Sequence, residues 1–258
     1  MSGTDLVVYG VPFSQPVRAV LWALLYTRTP FKLVPINPGS TGDNGSRNPE
    51  FLKKNSAGTI PTIEEPATGF TLGEAHAILT YLASTRGWGQ LYPTEPRLRA
   101  TVDWYLHYHH RNLREASVGL VAPKIRKDLD IPEVVQQSAR RTLTNALRTL
   151  EAGWLNDRPF LIGDDLCLAD FAAYVEIGQL RREFTNVYDF SEFPVITAWL
   201  DRMAAVDGHD TVHVALKELG DISAQPPTME TIKNANKAAL VALNAALENA
   251  ALANPAEG

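Results

Sequence analysis

Residues 12–22 read Pro12-Phe-Ser-Gln-Pro-Val-Arg-Ala-Val-Leu-Trp22 and follow directly on the short apolar run Leu6-Val-Val-Tyr9. The run predicts a strand, and the stretch predicts a helix over Gln15–Tyr26 that Ser14 opens and Pro16 enters in its first turn. Serine and proline suit that position because the first N–H groups of a helix have no intrahelical partner. Val17, Val20, Leu21, Leu24 and Leu25 keep the three-and-four spacing of one buried face. Free amides and the positive end of the helix dipole also favour an anion there, and a thiolate is an anion. Read alone, Ser14 is a helix cap first and a catalytic hydroxyl second.

Outward from this stretch, the first 87 residues alternate strand and helix. Phe31–Ile36 predicts a second strand, and Pro49–Lys54 a short helix after the Gly/Asn/Ser-rich loop 37–48. Pro61-Thr-Ile-Glu-Glu and Phe70-Thr-Leu predict two short strands joined by a hairpin turn over 66–69. Glu74–Arg86 predicts a helix with Ile78, Leu79 and Leu82 inward. The order βαβαββα packs as a four-stranded mixed sheet under helices, with a right-handed first crossover. A Gly/Pro/Trp/Tyr-rich segment, 88–96, ends the strand signals and marks the linker between a domain over 1–87 and one over 97–258. Beyond it helices are predicted over 97–121, 132–155, 168–182, 194–206 and 211–219. An amphipathic tail helix over 229–252 follows, with Ile232, Ala235, Ala239, Leu243 and Leu247 on one face.

Composition narrows the classes of function. The chain has 258 residues, 45% of them hydrophobic and 21% charged, with a formal net charge of −5. That profile is of an ordinary globular protein and argues against a basic nucleic-acid-binding surface. A single cysteine, Cys167, excludes an intramolecular disulfide and suits a reducing compartment. The start Met1-Ser-Gly-Thr-Asp5 leads straight into the first strand, so no secretory signal is expected, and the longest apolar stretch, around Ala19–Leu25, is too short to span a bilayer; a cytoplasmic location is expected.

Other signals are structural on this reading. Asp170, three residues after Cys167, is placed to reach back to the orphan amides of a helix start, and Leu166 and Phe171 have the spacing of a hydrophobic staple. Cys167 is then a cap rather than a nucleophile. His107, His109 and His110 offer only two ligands on one helix face, so no metal site is expected. Gly39–Ser46 lacks the Gly-Lys-Ser/Thr ending of a phosphate loop. Trp104, Tyr105 and Tyr108 read as core or domain interface, with Tyr108 a candidate for lining an apolar pocket.

Taken together, Ser14-Gln-Pro-x-Arg-Ala-Val, Asn55-Ser-x-Gly-x-Ile-Pro-Thr62, Phe70-Thr-Leu-x-Glu-Ala-x-Ala-Ile-Leu-x-Tyr-Leu82, Val102-Asp-x-Tyr-Leu106, Asn112-Leu-Arg and Leu168-Ala-Asp resemble the cytosolic glutathione transferases, and the theta class among them. The similarity runs over residues 5–219. It implies a thioredoxin-like α/β N-terminal domain and an all-α C-terminal domain that forms a pocket for the second substrate, with the tail helix covering it. It also implies a homodimer in which glutathione is a co-substrate and no other cofactor is used. The activity implied is attack of the glutathione thiolate on small hydrophobic electrophiles, with peroxide reduction or dehalogenation as variants. A non-catalytic interaction module or a carrier of hydrophobic ligands is the alternative.

The resemblance also assigns roles. Ser14 donates to the glutathione sulfur, and Arg114 stabilises the thiolate or a leaving anion from the first long helix. Arg111, one turn earlier, is a second candidate whose simpler reading is an exposed surface arginine. Gln15 holds a carboxylate of the tripeptide. A cis peptide at Ile60-Pro61 turns the Ile60 backbone toward the cysteinyl backbone. Glu74 holds the γ-glutamyl ammonium while the Ala75 amide meets its carboxylate. Three positions depart from the pattern: Ser46, beside Arg47, stands where the family has His; Thr59 where theta proteins often have Lys; Ala75 where they usually have Ser. With Arg47 directed to the glycyl carboxylate, these losses of polar reach predict a weaker glutathione site.

Overall fold

The computed structural model describes residues 5–253. Four short strands, β1 (Val7–Tyr9), β2 (Lys32–Val34), β3 (Thr62–Glu65) and β4 (Phe70–Gly73), form one sheet in the order β2-β1-β3-β4. β1 runs parallel to β2 and antiparallel to β3, and β3 and β4 close a hairpin. Helices α1 (Gln15–Tyr26), α2 (Pro49–Lys54) and α3 (Ala75–Thr85) complete the βαβαββα order read from the sequence. β2 is shorter than the predicted 31–36 because β1, its neighbour, is only three residues long. Phe31 and Ile36 flank the paired segment and are buried. Close packing brings α1 up to the end of β1: a Cβ on Gly10 would lie 2.6 Å from Val17 Cγ2.

The second half is helical: α4 (Pro96–His110), α5 (Ala122–Ile125), α6 (Glu133–Thr149), α7 (Leu168–Ile177), α8 (Pro194–Ala204), α9 (His209–Val212), α10 (Val214–Leu219) and α11 (Met229–Ala253). The long helix predicted over 97–121 is broken. Asn112 Nδ2 donates to the Tyr108 carbonyl at 2.7 Å, and the main chain beyond it tightens into i→i−3 bonds such as Ala116 N to Leu113 O. The chain then enters a wide π-helical turn over Ser117–Val121. This bend carries Arg114 and Ser117 against α7. Similar wide or tight turns end α6 and α7, at Leu150–Leu155 and Gly178–Leu180. The helix predicted over 211–219 is two short ones, α9 and α10.

One apolar core joins both halves, with α1 and α3 both packed against α7. Trp22 is fully buried, its Nε1 donates to Asp207 O at 2.9 Å, and its ring meets those of Phe171 and Tyr174 edge-on. Asp170 caps α7 as its spacing predicted: Oδ2 accepts from Cys167 N at 3.0 Å, while Oδ1 accepts from Leu161 N at 3.0 Å and Trp199 Nε1 at 2.9 Å. Burial and the neighbouring Asp170 push the Cys167 thiol well above its ordinary value, as a structural rather than nucleophilic sulfur requires. No helix among the described residues is long and apolar enough to cross a membrane.

Candidate active site

A pocket of about 160 Å³ lies where the two halves meet. Pro16 and Ala19 of α1, the segment Thr59-Ile60-Pro61, and Glu74, Ala75 and His76 line it from the N-terminal half. His109, His110 and Arg114 from the end of α4, with Ala172, Val175 and Glu176 of α7, line it from the other. The Ile60-Pro61 peptide is cis. Glu74 adopts φ +67°, a conformation that side chains rarely take, and such outliers gather at ligand clamps. Thr59 is exposed, and Asn55 Nδ2 donates to its carbonyl at 3.0 Å and its hydroxyl at 3.2 Å.

Five of the residues singled out for glutathione or its thiolate therefore come together with Arg114: Thr59, Ile60, Pro61, Glu74 and Ala75. Others stand outside the wall. Ser14 precedes α1 as its N-cap, with extended backbone (φ −72°, ψ 125°), and its side chain makes no capping hydrogen bond. Pro16 and Ala19, which line the pocket, follow it two and five residues further along the chain. Gln15 is buried, and its Nε2 donates to Gln179 Oε1 at 3.0 Å, so its amide is committed to α7's C-terminal turn in this state. Ser46 is buried and accepts from Gly39 N at 2.9 Å, which gives it a loop-folding task. Arg47 and Arg111 are exposed. Tyr108 lies against Trp154, with ring centroids 6.1 Å apart. No residue of the described part of α11 lines the pocket.

Charge in the site is arranged around Glu176. Its carboxylate is 2% exposed; Oε1 takes Arg114 Nη1 at 2.5 Å and Oε2 accepts from Ser117 Oγ at 2.6 Å. The Arg114 side chain is still 39% exposed, so its guanidinium is held at the pocket by one edge. The Glu176 charge raises its pKa further, and it stays cationic throughout. Arg18 is fully buried, and burial lowers its pKa to about 9, which leaves it protonated at neutral pH. Its Nη1 donates to Phe13 O at 2.6 Å, and its Nη2 to Val175 O at 3.2 Å.

Three histidines meet in the pocket wall. His76 packs on His109 and His110 across the boundary between halves, with ring centroids 4.8 and 4.4 Å apart. Burial, then the neighbouring His110, lowers the His76 pKa to about 3, and burial takes His109 well below its usual value. Both are neutral, and neither Nδ1 has a partner. No group of three or more His, Cys, Asp or Glu among the described residues has the arrangement to hold a metal ion. A sequence signal for Glu176 did exist: it is a carboxylate without a neighbouring cation in the apolar helix Leu168–Ile177. His76 had none beyond its place next to Ala75.

Comparison with known proteins gives the lineage. The family model described as "Glutathione S-transferase, N-terminal domain" matches residues 8–90, and "Glutathione S-transferase, C-terminal domain" matches residues 100–207. Human glutathione S-transferase theta-2B is 33% identical over 205 residues, 76% of this chain and 79% of that protein. Chicken theta-1 is 29% identical, covering 74% of each. Glutathione S-transferase T2 of Arabidopsis thaliana is 32% identical over 82% of this chain, which spans only 37% of that longer protein. Among solved structures, human theta-2 in complex with glutathione superposes with a TM-score of 0.71 at 27% identity, over 93% of this chain and 98% of that one. A human theta-class enzyme holding the glutathione conjugate of 1-menaphthyl sulfate gives 0.67 at 27% identity, over the same shares. Sheet order, pocket and these likenesses agree: the chain belongs to the glutathione S-transferase family and is theta-like within it.

Proposed function

We propose that this chain conjugates glutathione to small hydrophobic electrophiles, with Ser14 as the hydroxyl that keeps the glutathione sulfur ionised. The carrying observation is Ser14 itself: an N-cap whose side chain is not spent on the cap, opening the helix whose Pro16 and Ala19 line the pocket with the cis Ile60-Pro61 segment. The tripeptide lies against Ile60, Glu74 and Ala75. Ile60 offers its backbone, Glu74 takes the γ-glutamyl ammonium, and the Ala75 amide takes the carboxylate. Arg114, steadied by Glu176, faces the thiolate or the departing anion. Arg47 and Arg111 reach the site only by moving, and Gln15 only by releasing Gln179. Relatives with bound glutathione or its conjugate support the co-substrate. A cytoplasmic homodimer completes the proposal; Trp104, 65% exposed on α4, is an apolar surface that a second copy would cover.

The chemistry asked of the protein is modest. A free thiol near pKa 8.5 is roughly 3% ionised at pH 7, and a drop of about two units makes roughly three quarters of it thiolate. A hydroxyl donor assisted by the dipole of α1 is of the right size, because hydrogen bonds to charged groups are the strong ones. The Ser14→Ala variant is therefore expected to bind glutathione in a calorimetric titration and to turn over electrophiles about 25-fold more slowly at pH 7. Equal turnover by the two proteins would remove Ser14 from the mechanism. Binding without turnover by the wild type would favour the carrier reading, and no binding the interaction module.

A further inference from the structure

The main chain of Phe13, the residue before Ser14, is held at both its N–H and its carbonyl. Phe13 N donates to Asn236 Oδ1 of α11 at 3.0 Å, and Phe13 O accepts from Arg18 Nη1 at 2.6 Å. Neither partner is loose. Asn236 Nδ2 donates to Ile232 O at 3.1 Å, which fixes the amide with its oxygen toward Phe13. Arg18 is fully buried and anchored on Val175 O of α7. The Phe13 ring joins Ile232, Ala235 and Ile222 in a small apolar cluster beside the main core. Ser14 is then set between these clamps and its own bonds, Ser14 N to Val11 O at 3.0 Å and Arg18 N to Ser14 O at 2.9 Å.

We infer that Asn236 is a positioning residue for the Ser14 hydroxyl. The inference rests on the reading of Ser14 as donor to the glutathione sulfur. A hydroxyl stabilises a thiolate only while it points at the sulfur, and a hydrogen bond weakens steeply as its angle closes. By accepting the Phe13 amide, Asn236 fixes the backbone on the N-terminal side of Ser14; the α1 ladder fixes the other side. Docking of α11 itself rests on other residues, Ala235, Ala239 and Leu243, all buried. Losing the acceptor therefore frees the serine loop while the tail stays in place. The tail helix, 223 residues along the chain from Phe13, acts on the chemistry through one amide and need not enter the pocket.

The test uses the full chain and glutathione, with ultraviolet thiolate absorbance of the bound tripeptide followed against pH. Asn236→Leu keeps the shape and removes the acceptor; Asn236→Gln keeps an amide oxygen on a longer stem. The Leu variant is expected to raise the bound thiol's pKa by about one unit and to lower turnover roughly threefold at neutral pH, with recovery at high pH. The Gln variant is expected to return most of that shift. Should Asn236→Leu fail to fold, Asn236→Ala gives the same readout. Ser14→Ala is measured alongside. If it shifts the thiol and Asn236→Leu does not, or if Leu and Gln shift it equally, the positioning role is wrong and the Ser14 reading stands. If Ser14→Ala leaves the thiol unchanged, both fail.

Discussion

Asp170→Ala is expected to lower the unfolding free energy by about 4 kcal/mol, seen as an earlier urea midpoint at pH 7. The carboxylate is fully buried and accepts from Leu161 N, Cys167 N and Trp199 Nε1. Removing it leaves three buried N–H donors without acceptors, each costing about 1–3 kcal/mol, and also strands the Cys167 thiol, a weak donor to Oδ2 at 3.2 Å. One joins the start of α7 to the loop before it, and another ties α8 through Trp199, so the loss spreads over the helical half. Asp170→Asn is expected to fall between, because it keeps one acceptor and turns an N–H₂ toward a donor. Asp170 does not line the pocket, so the folded fraction should keep its affinity for glutathione. A loss under about 1 kcal/mol would mean that water or a shifted loop replaces these bonds.

Mild acid is expected to weaken the fold by at least about 2 kcal/mol between pH 7 and pH 5. His76, near pKa 3 when folded, stays neutral across this range, whereas the unfolded chain protonates it near 6.5. The unfolded state thus binds more protons, and stability falls as pH drops below about 6.5. His109 and His213, both fully buried and pushed down chiefly by that burial, act in the same direction. His213 is boxed by the rings of Trp22, Tyr174 and Phe184 and has an unpartnered Nε2, so no carboxylate waits to receive its charge. Glu64 and Asp210, whose pKa values are lowered by partners, release their contribution only below the usual carboxylate range and lie outside this window. Urea midpoints at the two pH values measure the effect, and His76→Phe should reduce it. Equal midpoints would contradict the account.

What could be read in advance followed from local physics. The Ser14–Pro16 helix start, the inward face of α1, the hairpin turn and the Asp170 cap each depend on residues within a few positions of one another. The cis Ile60-Pro61 peptide came from family resemblance, since proline alone leaves cis and trans open. What escaped reading depends on distant partners. Gln15 looked free for a ligand until α7 brought Gln179 to it. Ser46 looked like a site residue until the loop folded its hydroxyl onto Gly39 N. The break after His110 turns on one side-chain amide, that of Asn112, competing for a main-chain carbonyl. The tail's spacing predicted a helix. Its bond to Phe13 needed the whole fold.

The most direct measurement is the ionisation of glutathione's thiol in the binary complex, followed by its ultraviolet absorbance from acid to alkaline pH. The wild-type complex should titrate about two units below the free thiol, and the Ser14→Ala complex close to the free value near 8.5. A wild-type complex that binds glutathione yet ionises no earlier than the free tripeptide would contradict the role given to Ser14.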